Sequence, residues 1–176
     1  MFLVRDATEL DASAITKIYA HYVTQSAATF EVDPPSCTET ERRRTEIVSQ
    51  RFPYLVAEID GRVTGYAYAS HYRSRPAYRF TVEDSVYIHP EFHRLGLGRA
   101  LLGRVIALCT AAGYRQMVAI IGDSANVPSV RLHETLGFRS VGVLASVGLK
   151  FGRWVDTVIM QRALDGAEND SSLYFI

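Results

Sequence analysis

The chain has 176 residues, enough for one domain with a well-packed core. Hydrophobic residues make up 48% and charged residues 22%, the balance of an ordinary globular protein. The 19 Lys and Arg residues offset 19 Asp and Glu residues, and this neutral balance argues against a nucleic-acid or membrane partner. No apolar run approaches the roughly 20 residues of a membrane-spanning helix, and charge follows Met1 too soon for a signal peptide.

The first half of the chain predicts strands and helices in a mixed order. Apolar residues recur at helical spacing between Ile15 and Tyr22, and Asp60-Gly61 is typical of a tight hairpin turn. The predicted elements are a strand at 3–5, helices at about 15–22 and 40–51, and strands at 54–59, 63–70 and 80–88.

The chain has two cysteines, and the same predictions place Cys37 in a polar loop and Cys109 in an apolar helix. We expect both to be reduced thiols of a cytoplasmic protein.

The second half predicts alternating helices and strands. They are a helix around 101–109, a strand at 117–121, a helix from 128 to about 136, and strands near 141–145 and 155–161. The overall order lacks the strict alternation of a doubly wound fold. It indicates an α/β (α+β) domain at 1–164, with a mixed central sheet flanked by helices. The acidic residues 165–176 are predicted to form a C-terminal tail.

A glycine-containing turn, Gly96-Leu97-Gly98, follows a predicted strand and opens a helix. Helix N-termini present unpaired N–H groups and partial positive charge, and glycine lets a phosphate approach them. Between Phe92 and Gly122 there are four arginines and no acidic residue. Taken alone, such a turn is more often a simple connection. A P-loop is excluded because no Lys-Ser/Thr pair follows, and Leu101 stands where a dinucleotide fingerprint needs its third glycine.

Two motifs in this region resemble those of the GCN5-related N-acetyltransferase (GNAT) family. The stretch His93-Arg94-Leu95-Gly96-Leu97-Gly98 is similar to the family's Gln/Arg-x-x-Gly-x-Gly/Ala turn, with His in the first position. The stretch Asn126-x-x-Ser129-x-x-Leu132-His133-x-x-x-Gly137-Phe138 is similar to its later motif, with His133 where Tyr is usual. Within that family, the chain most resembles phosphinothricin and methionine sulfoximine N-acetyltransferases, on the evidence of segments 81–88, 93–98 and 129–134. The resemblance extends over about Val4–Leu164.

The resemblance implies the GNAT acyl-CoA N-acyltransferase fold and acetyl-CoA as acetyl donor. In that family the turn binds the pyrophosphate through backbone N–H groups, the Asn contacts the pantetheine arm, and an unpaired strand amide receives the acetyl carbonyl. The residues that this assigns to acetyl-CoA are Val86, Tyr87, Ile88, Arg94, Leu95, Gly96, Leu97, Gly98, Arg99, Asn126 and Ser129.

Glu83 and His133 are the candidate catalytic residues. The amine that accepts the acetyl group must first lose a proton, and the resemblance places the base at Glu83. An ordinary carboxyl pKa near 4.3 is too low for this role, so burial or a bridging water is expected. His133 is a candidate either to protonate the leaving thiolate or to act as the base, and this choice stays open. Asp84 should face the opposite side of the strand and is interpreted as structural.

The resemblance places an acceptor site at Phe30, Arg73, Arg75, Tyr78 and Tyr87. Arginine forks match carboxylate or phosphinate groups, so an acceptor with an acidic group is expected. The predicted reaction is direct attack, in a ternary complex, by the α-amino group of a small amino-acid analogue. The expected acceptors are phosphinothricin, methionine sulfoximine and methionine sulfone. No acyl-cysteine is expected, because neither cysteine lies in a recognised site.

Two other functions are compatible with the same motifs. The chain could acetylate another small amine or a protein N-terminus, although the basic loop at 73–79 disfavours a cationic acceptor. A non-catalytic acyl-CoA-binding domain is disfavoured by the intact Glu83, His133 and Asn126. No metal is expected, because the pair His89 and His93 lacks a third ligand. The resemblance also implies a homodimer, for which the aromatic cluster at 151–154 is a candidate contact.

Overall fold

A computed structural model describes residues 1–164 of the chain; the tail predicted at 165–176 lies outside the described residues. The strands are β1 (Leu3–Asp6), β2 (Tyr54–Ile59), β3 (Arg62–His71), β4 (Thr81–Ile88), β5 (Gln116–Gly122), β6 (Arg139–Lys150) and β7 (Arg153–Ala163). The helices are α1 (Ala12–Gln25), α2 (Cys37–Ser49), α3 (Leu97–Ala111) and α4 (Val127–Thr135), with single 3-10 turns at 9–11, 76–78 and 90–92. No helix in this range is both long and apolar enough to cross a membrane.

The strands form one seven-stranded sheet in the order β1-β2-β3-β4-β5-β7-β6. Only β4 and β5 run parallel, joined by the crossover helix α3, and the other neighbours are antiparallel. Asp60 and Gly61 both adopt positive φ, at 49° and 77°, as the predicted turn between β2 and β3 requires. The predicted mixed sheet flanked by helices is therefore confirmed.

Hydrophobic cores lie on both faces of the sheet. On one face, Ile15 and Ile18 of α1 pack on a tyrosine-rich surface that includes Tyr54 and Tyr66. On the other face, apolar residues of α3 and α4 pack on the small and branched residues of β2 to β5. Side chains alternate along β4, so Tyr87 joins the α1 face while Val86 joins the α3 and α4 face. This alternation decides on which side each functional residue of β4 lies.

Helix α2 begins three residues earlier than its charge pattern predicts. The side chain of Ser36 accepts a hydrogen bond from the Glu39 amide at 3.1 Å, which caps the helix at its N-terminus. Cys37 is therefore the exposed first residue of α2, and its assignment to a loop is wrong. The helix ends before Arg51, whose φ of 65° is incompatible with a continuing helix.

The parallel pair β4 and β5 separates halfway along β4. Paired positions run from Thr81 opposite Gln116 to Asp84 opposite Ala119, and within the described chain none follows. Beyond that point β4 stays paired with β3, while β5 stays paired with β7 as far as Gly122. The two strands thus diverge at their carboxyl ends and leave an opening in the middle of the sheet.

Candidate active site

A cavity of about 550 Å³ occupies the opening between the ends of β4 and β5, with the first turns of α3 and α4 at its sides. It brings together ten of the eleven residues predicted to bind acetyl-CoA: Val86, Tyr87, Ile88, Arg94, Gly96, Leu97, Gly98, Arg99, Asn126 and Ser129. Leu95 is the exception, because its exposed side chain does not line the cavity. His133 also lines it, whereas Glu83 does not.

The turn before α3 has the backbone conformation of an anion site. Arg94 and Gly96 adopt left-handed conformations, with φ of 64° and 82°, and Gly96 caps the helix. Alternation of left-handed and helical residues turns successive N–H groups to one side, next to the positive end of the helix. A side chain at Gly98 would come within 3.1 Å of Leu132, so this glycine lets α4 pack closely on α3. The geometry therefore suits a pyrophosphate group.

His93, the unusual first residue of the turn, holds the end of β4 in place. Its Nε2 lies 3.1 Å from the Ile88 carbonyl oxygen, which also accepts a 2.6 Å hydrogen bond from the Tyr22 hydroxyl of α1. Because a carbonyl oxygen only accepts, Nε2 of His93 carries the hydrogen in this contact. Tyr22 lines the cavity, a role that its helical spacing in the sequence does not indicate.

Asn126 caps α4 at the opposite side of the cavity. Its Oδ1 accepts from the Ser129 amide at 3.4 Å, and its Nδ2 donates to the Gly122 carbonyl oxygen at 3.5 Å. Both contacts are long, so the amide has hydrogen-bonding capacity left for a ligand. The side chain thus lies where β5 ends and α4 begins, on the wall of the cavity.

Asp84 and His133 form a buried pair across the cavity wall, with exposed fractions of only 6% and 2%. Nδ1 of His133 donates to the Ser129 carbonyl oxygen at 2.7 Å, and Nε2 lies 3.0 Å from Oδ2 of Asp84. The first contact requires a hydrogen on Nδ1, so the second requires another proton between Nε2 and Oδ2. Asp84 faces away from Glu83 as predicted, but it contacts a candidate catalytic residue and lines the cavity.

The electrostatics favour the charged form of His133. Burial by itself lowers the pKa of His133, but the hydrogen bond and negative charge of Asp84, with the Ser129 carbonyl, outweigh it and raise that pKa above its usual value. The other oxygen of Asp84, Oδ1, is buried without a hydrogen-bond partner within residues 1–164. No local sequence pattern indicates this pair, since 49 residues separate its members.

Glu83 lies on the α1 face of β4, where it is partly buried. Burial raises the pKa of Glu83 to about 7, the charge of Asp84 adds to the rise, and the charge of Arg73 opposes it. A carboxyl with this pKa is matched to proton transfer near neutral pH. Of the two conditions expected from the sequence, burial or a bridging water, burial is present at Glu83.

The predicted acceptor residues lie in three parts of the structure: the loop between β3 and β4, strand β4, and the segment after α1. The guanidinium of Arg73 lies 5.2 Å from the ring centre of Tyr72, which in turn makes an edge-to-face contact with Tyr78. Arg75 precedes the 3-10 turn at 76–78 and is exposed. Of the five predicted residues only Tyr87 lines the cavity, and Phe30 packs elsewhere, against β6. In the described range, no three His, Cys, Asp or Glu side chains are grouped to hold a metal.

Comparison with known proteins assigns this geometry to a family. The acetyltransferase (GNAT) domain family matches residues 4–159. The chain is 52% identical to phosphinothricin N-acetyltransferase of Alcaligenes faecalis over 165 residues, covering 94% of this chain and 84% of the relative. It is 42% identical to an L-methionine sulfoximine/L-methionine sulfone acetyltransferase of Salmonella typhimurium, covering 92% and 94%.

A solved structure with bound donor is also similar. The phosphinothricin acetyltransferase from Sinorhizobium meliloti, crystallised with acetyl-CoA, superimposes with a TM-score of 0.90 at 46% identity. The match covers 93% of this chain and 88% of that one.

The Asp84–His133 pair predicts a pH-dependent contribution to stability. The raised pKa of His133 means that the pair stabilises the fold fully below the unfolded-state pKa, and that this contribution is lost as pH rises through the folded-state pKa. We expect Asp84→Asn to lower the free energy of unfolding by about 1–3 kcal/mol at about pH 6. Urea unfolding at about pH 6 and about pH 9 measures this.

The control for this experiment is Glu134→Gln, which removes an exposed carboxylate from α4, the helix that carries His133. We expect it to change stability little at either pH, because exposed carboxylates contribute weakly. An equal loss of stability for Asp84→Asn at both pH values would contradict the assignment of a charged His133.

Proposed function

The chain belongs to the GNAT acetyltransferase family and uses acetyl-CoA as its acetyl donor, and we propose that its acceptor is a small amino-acid analogue. The reaction is transfer of the acetyl group to the α-amino nitrogen of phosphinothricin, methionine sulfoximine or methionine sulfone. Names of the relatives at 52% and 42% identity support this acceptor class. The structural support comes from Glu83 and the charges around it.

The single observation that carries the proposal is the position of Glu83, partly buried on the α1 face and one residue before the last paired position of β4 and β5, where burial raises its pKa to about 7. An ammonium group has no lone pair, so the acceptor must lose a proton before it attacks. A carboxylate with a pKa near the working pH can take that proton, directly or through one water. Glu83 is the titratable residue on the α1 face of β4 with this property.

We assign the two candidate catalytic residues different roles. Both ring nitrogens of His133 carry or share a proton, toward Ser129 and Asp84, so no free lone pair remains to accept another. The base is therefore Glu83. His133 lines the cavity, and we assign it as proton donor to the leaving thiolate of CoA, a step in which its Nε2–H exchanges the hydrogen bond with Asp84 for one with the sulfur. The nitrogen of the acceptor attacks the thioester carbonyl directly. Backbone N–H groups near Tyr87 and Ile88, past the last paired position with β5, receive the developing oxyanion.

The residues of the cavity fit acetyl-CoA by chemistry. The N-terminal turn of α3 and the nearby Arg94 and Arg99 offer N–H groups and positive charge to the pyrophosphate. Asn126 offers an amide to the pantetheine arm. Apolar side chains of β4, β5 and α4 form the remaining walls.

Arg73 supports an acceptor with an acidic group. Its side chain is exposed, and its positive charge lies near enough to Glu83 to lower the pKa of that carboxyl. A guanidinium can bind a carboxylate or phosphinate in a bidentate manner and leave the amino group free to face Glu83. Arg75 adds a second positive charge to this loop. A polyamine or aminoglycoside would meet repulsion there.

We further propose that the enzyme is a cytoplasmic homodimer. Strand β6 is the sheet edge, and it exposes a series of apolar side chains: Val141, Val143, Leu144, Val147 and Leu149. Trp154 and Phe151 extend this surface, with exposed fractions of 64% and 58%. A long apolar edge strand pairs readily with a second copy, and burial there removes it from water. The free thiols of Cys37 and Cys109 support the proposed cytoplasmic location.

The acceptor class is tested by acetyl-CoA-dependent thiol release with a panel of amines. The panel contains phosphinothricin, methionine sulfoximine, methionine sulfone, spermidine and an aminoglycoside. We expect release with the first three and none with the two cationic amines. Release only with a cationic amine would overturn the acceptor assignment, and acetyl-CoA binding without any release would overturn catalysis.

The role of Glu83 predicts the pH dependence of turnover. The plot of rate against pH should have an ascending limb, centred near the Glu83 pKa of about 7, where the carboxyl loses its proton. Glu83→Gln should lower kcat by about 100-fold or more without changing acetyl-CoA affinity. Arg73→Gln should move the limb to higher pH, because the charge that lowers the Glu83 pKa is gone.

The control for the pH profile is Arg79→Gln, since Arg79 is an exposed arginine that stacks on Phe80 in the same loop. It should leave the limb in place. Unchanged turnover of Glu83→Gln would remove Glu83 from the mechanism.

The homodimer predicts a loss of association when a charge is placed on β6. We expect the wild-type chain to sediment at about twice the monomer mass of 19.6 kDa, and Val143→Glu to sediment as a monomer. Val48→Glu is the matched control, because Val48 is also exposed but lies on α2. A monomeric wild-type chain, or a dimer that persists in Val143→Glu, would refute this interface.

A further inference from the structure

The segment between α1 and Val32, residues 26–31, has no helix or strand of its own, yet most of it is held in place. It carries Phe30, a predicted wall of the acceptor site, and Ala28, which lines the acetyl-CoA cavity. The segment therefore runs from the donor cavity to the predicted acceptor site. The contacts that hold residues 26–31 in place therefore also position Phe30.

Two strand glycines allow the segment to lie directly on the sheet. A Cβ atom built at Gly148 of β6 would overlap the ring of Phe30, and one built at Gly122 of β5 would overlap the Ala27 carbonyl oxygen. Neither glycine has a positive φ, so the backbone conformation does not require glycine at these positions. The close approach of the 26–31 segment requires it.

Lys150, two residues after Gly148, clamps the same segment. Its Nζ donates to the Ser26 carbonyl oxygen at 2.7 Å and to the Thr29 carbonyl oxygen at 2.6 Å. Lys150 is only 3% exposed, and burial lowers its pKa while the nearby charge of Glu31 opposes the change. A buried ammonium needs such acceptors, so both carbonyls are fixed at once.

The far end of the segment is tied to the helices. The hydroxyls of Tyr19 and Thr29 lie 2.8 Å apart, and the Tyr19 hydroxyl donates to Glu31 at 3.0 Å. Arg43 of α2 donates to the same carboxylate at 2.6 Å. Phe30 lies between these anchors with its ring against Gly148 and 38% of its surface exposed.

We propose that Gly148 and Lys150 are positioning residues for the acceptor, because they determine where the Phe30 ring stands and thereby which acceptor side chains fit. The proposal rests on the assignment of Phe30 to the acceptor site under the proposed function. Neither residue lines the acetyl-CoA cavity, and Ala28 is the one residue of 26–31 that does, so their main effect falls on the acceptor.

The first test compares two glycines of the same strand. A Cβ atom at Gly148 overlaps Phe30, whereas one at Gly142 meets nothing within 4 Å. We expect Gly148→Ala to raise the acceptor KM by about tenfold or more, to different extents for phosphinothricin and methionine sulfone. Acetyl-CoA affinity, measured by calorimetry, should stay unchanged. Gly142→Ala should match the wild type in both measurements.

A double-mutant cycle identifies Phe30 as the link. Combining Gly148→Ala with Phe30→Ala should give the kinetics of Phe30→Ala alone, because the ring that the new methyl displaces is absent. Additive effects of the two substitutions would overturn the proposal, as would wild-type acceptor kinetics of Gly148→Ala.

Lys150→Met provides a second variant should Gly148→Ala fail to fold. It removes the donor to both carbonyls and should raise the acceptor KM by a larger factor than the acetyl-CoA dissociation constant, because only Ala28 of the segment lines the donor cavity. Hydrogen–deuterium exchange at 26–31 should increase in Lys150→Met and not in Gly142→Ala, a readout that needs no acceptor. Unchanged exchange would overturn the positioning role. Absence of turnover in the wild-type chain would instead refute the proposed function, so the two failures are distinguishable.

Discussion

The separation of β4 from β5 after Asp84 and Ala119 is the constraint on which the site depends. Ligands of sheets with parallel strands bind beyond the carboxyl ends of those strands, and here the two ends diverge enough to admit one. Each strand leads into a helix whose first turn borders the opening, α3 after β4 and α4 after β5. The donor site therefore requires two strand–helix units and one break in strand pairing.

Asp84 connects the two sides of the sheet electrostatically. Its negative charge raises the pKa of His133 by attraction on one face, and it raises the pKa of Glu83 by repulsion on the other. The side-chain alternation of a strand makes this arrangement possible, because neighbours in sequence point to opposite faces. One carboxylate thus favours the protonated form of a candidate acid and adds to the rise that burial causes in the pKa of a candidate base. Two adjacent acidic residues with different surroundings can serve different purposes.

Sequence reasoning succeeded where structure follows from nearby residues. Strand alternation, the Asp60-Gly61 turn and the glycines before α3 each depend on a few consecutive residues, and the structure contains all of them. It failed where a partner comes from far along the chain. The hydrogen bond between Asp84 and His133 and the clamp of Lys150 on the 26–31 segment span 49 and up to 124 residues, and no local pattern encodes them. The early start of α2 was missed because a single side chain, Ser36, sets it.

The same contrast separates the donor side of the site from the acceptor side. The acetyl-CoA cavity is built mainly from two contiguous stretches of chain, 84–99 and 119–133, so short motifs identify it. The proposed acceptor side combines a segment between two helices, a loop between β3 and β4, and the far end of β6. The loop between β3 and β4 does not line the donor cavity, whereas Ala28 makes the segment after α1 part of both sides. The motifs therefore identify the family and the donor, whereas the proposed acceptor side depends on contacts such as that of Phe30 with Gly148, which only the folded chain brings together.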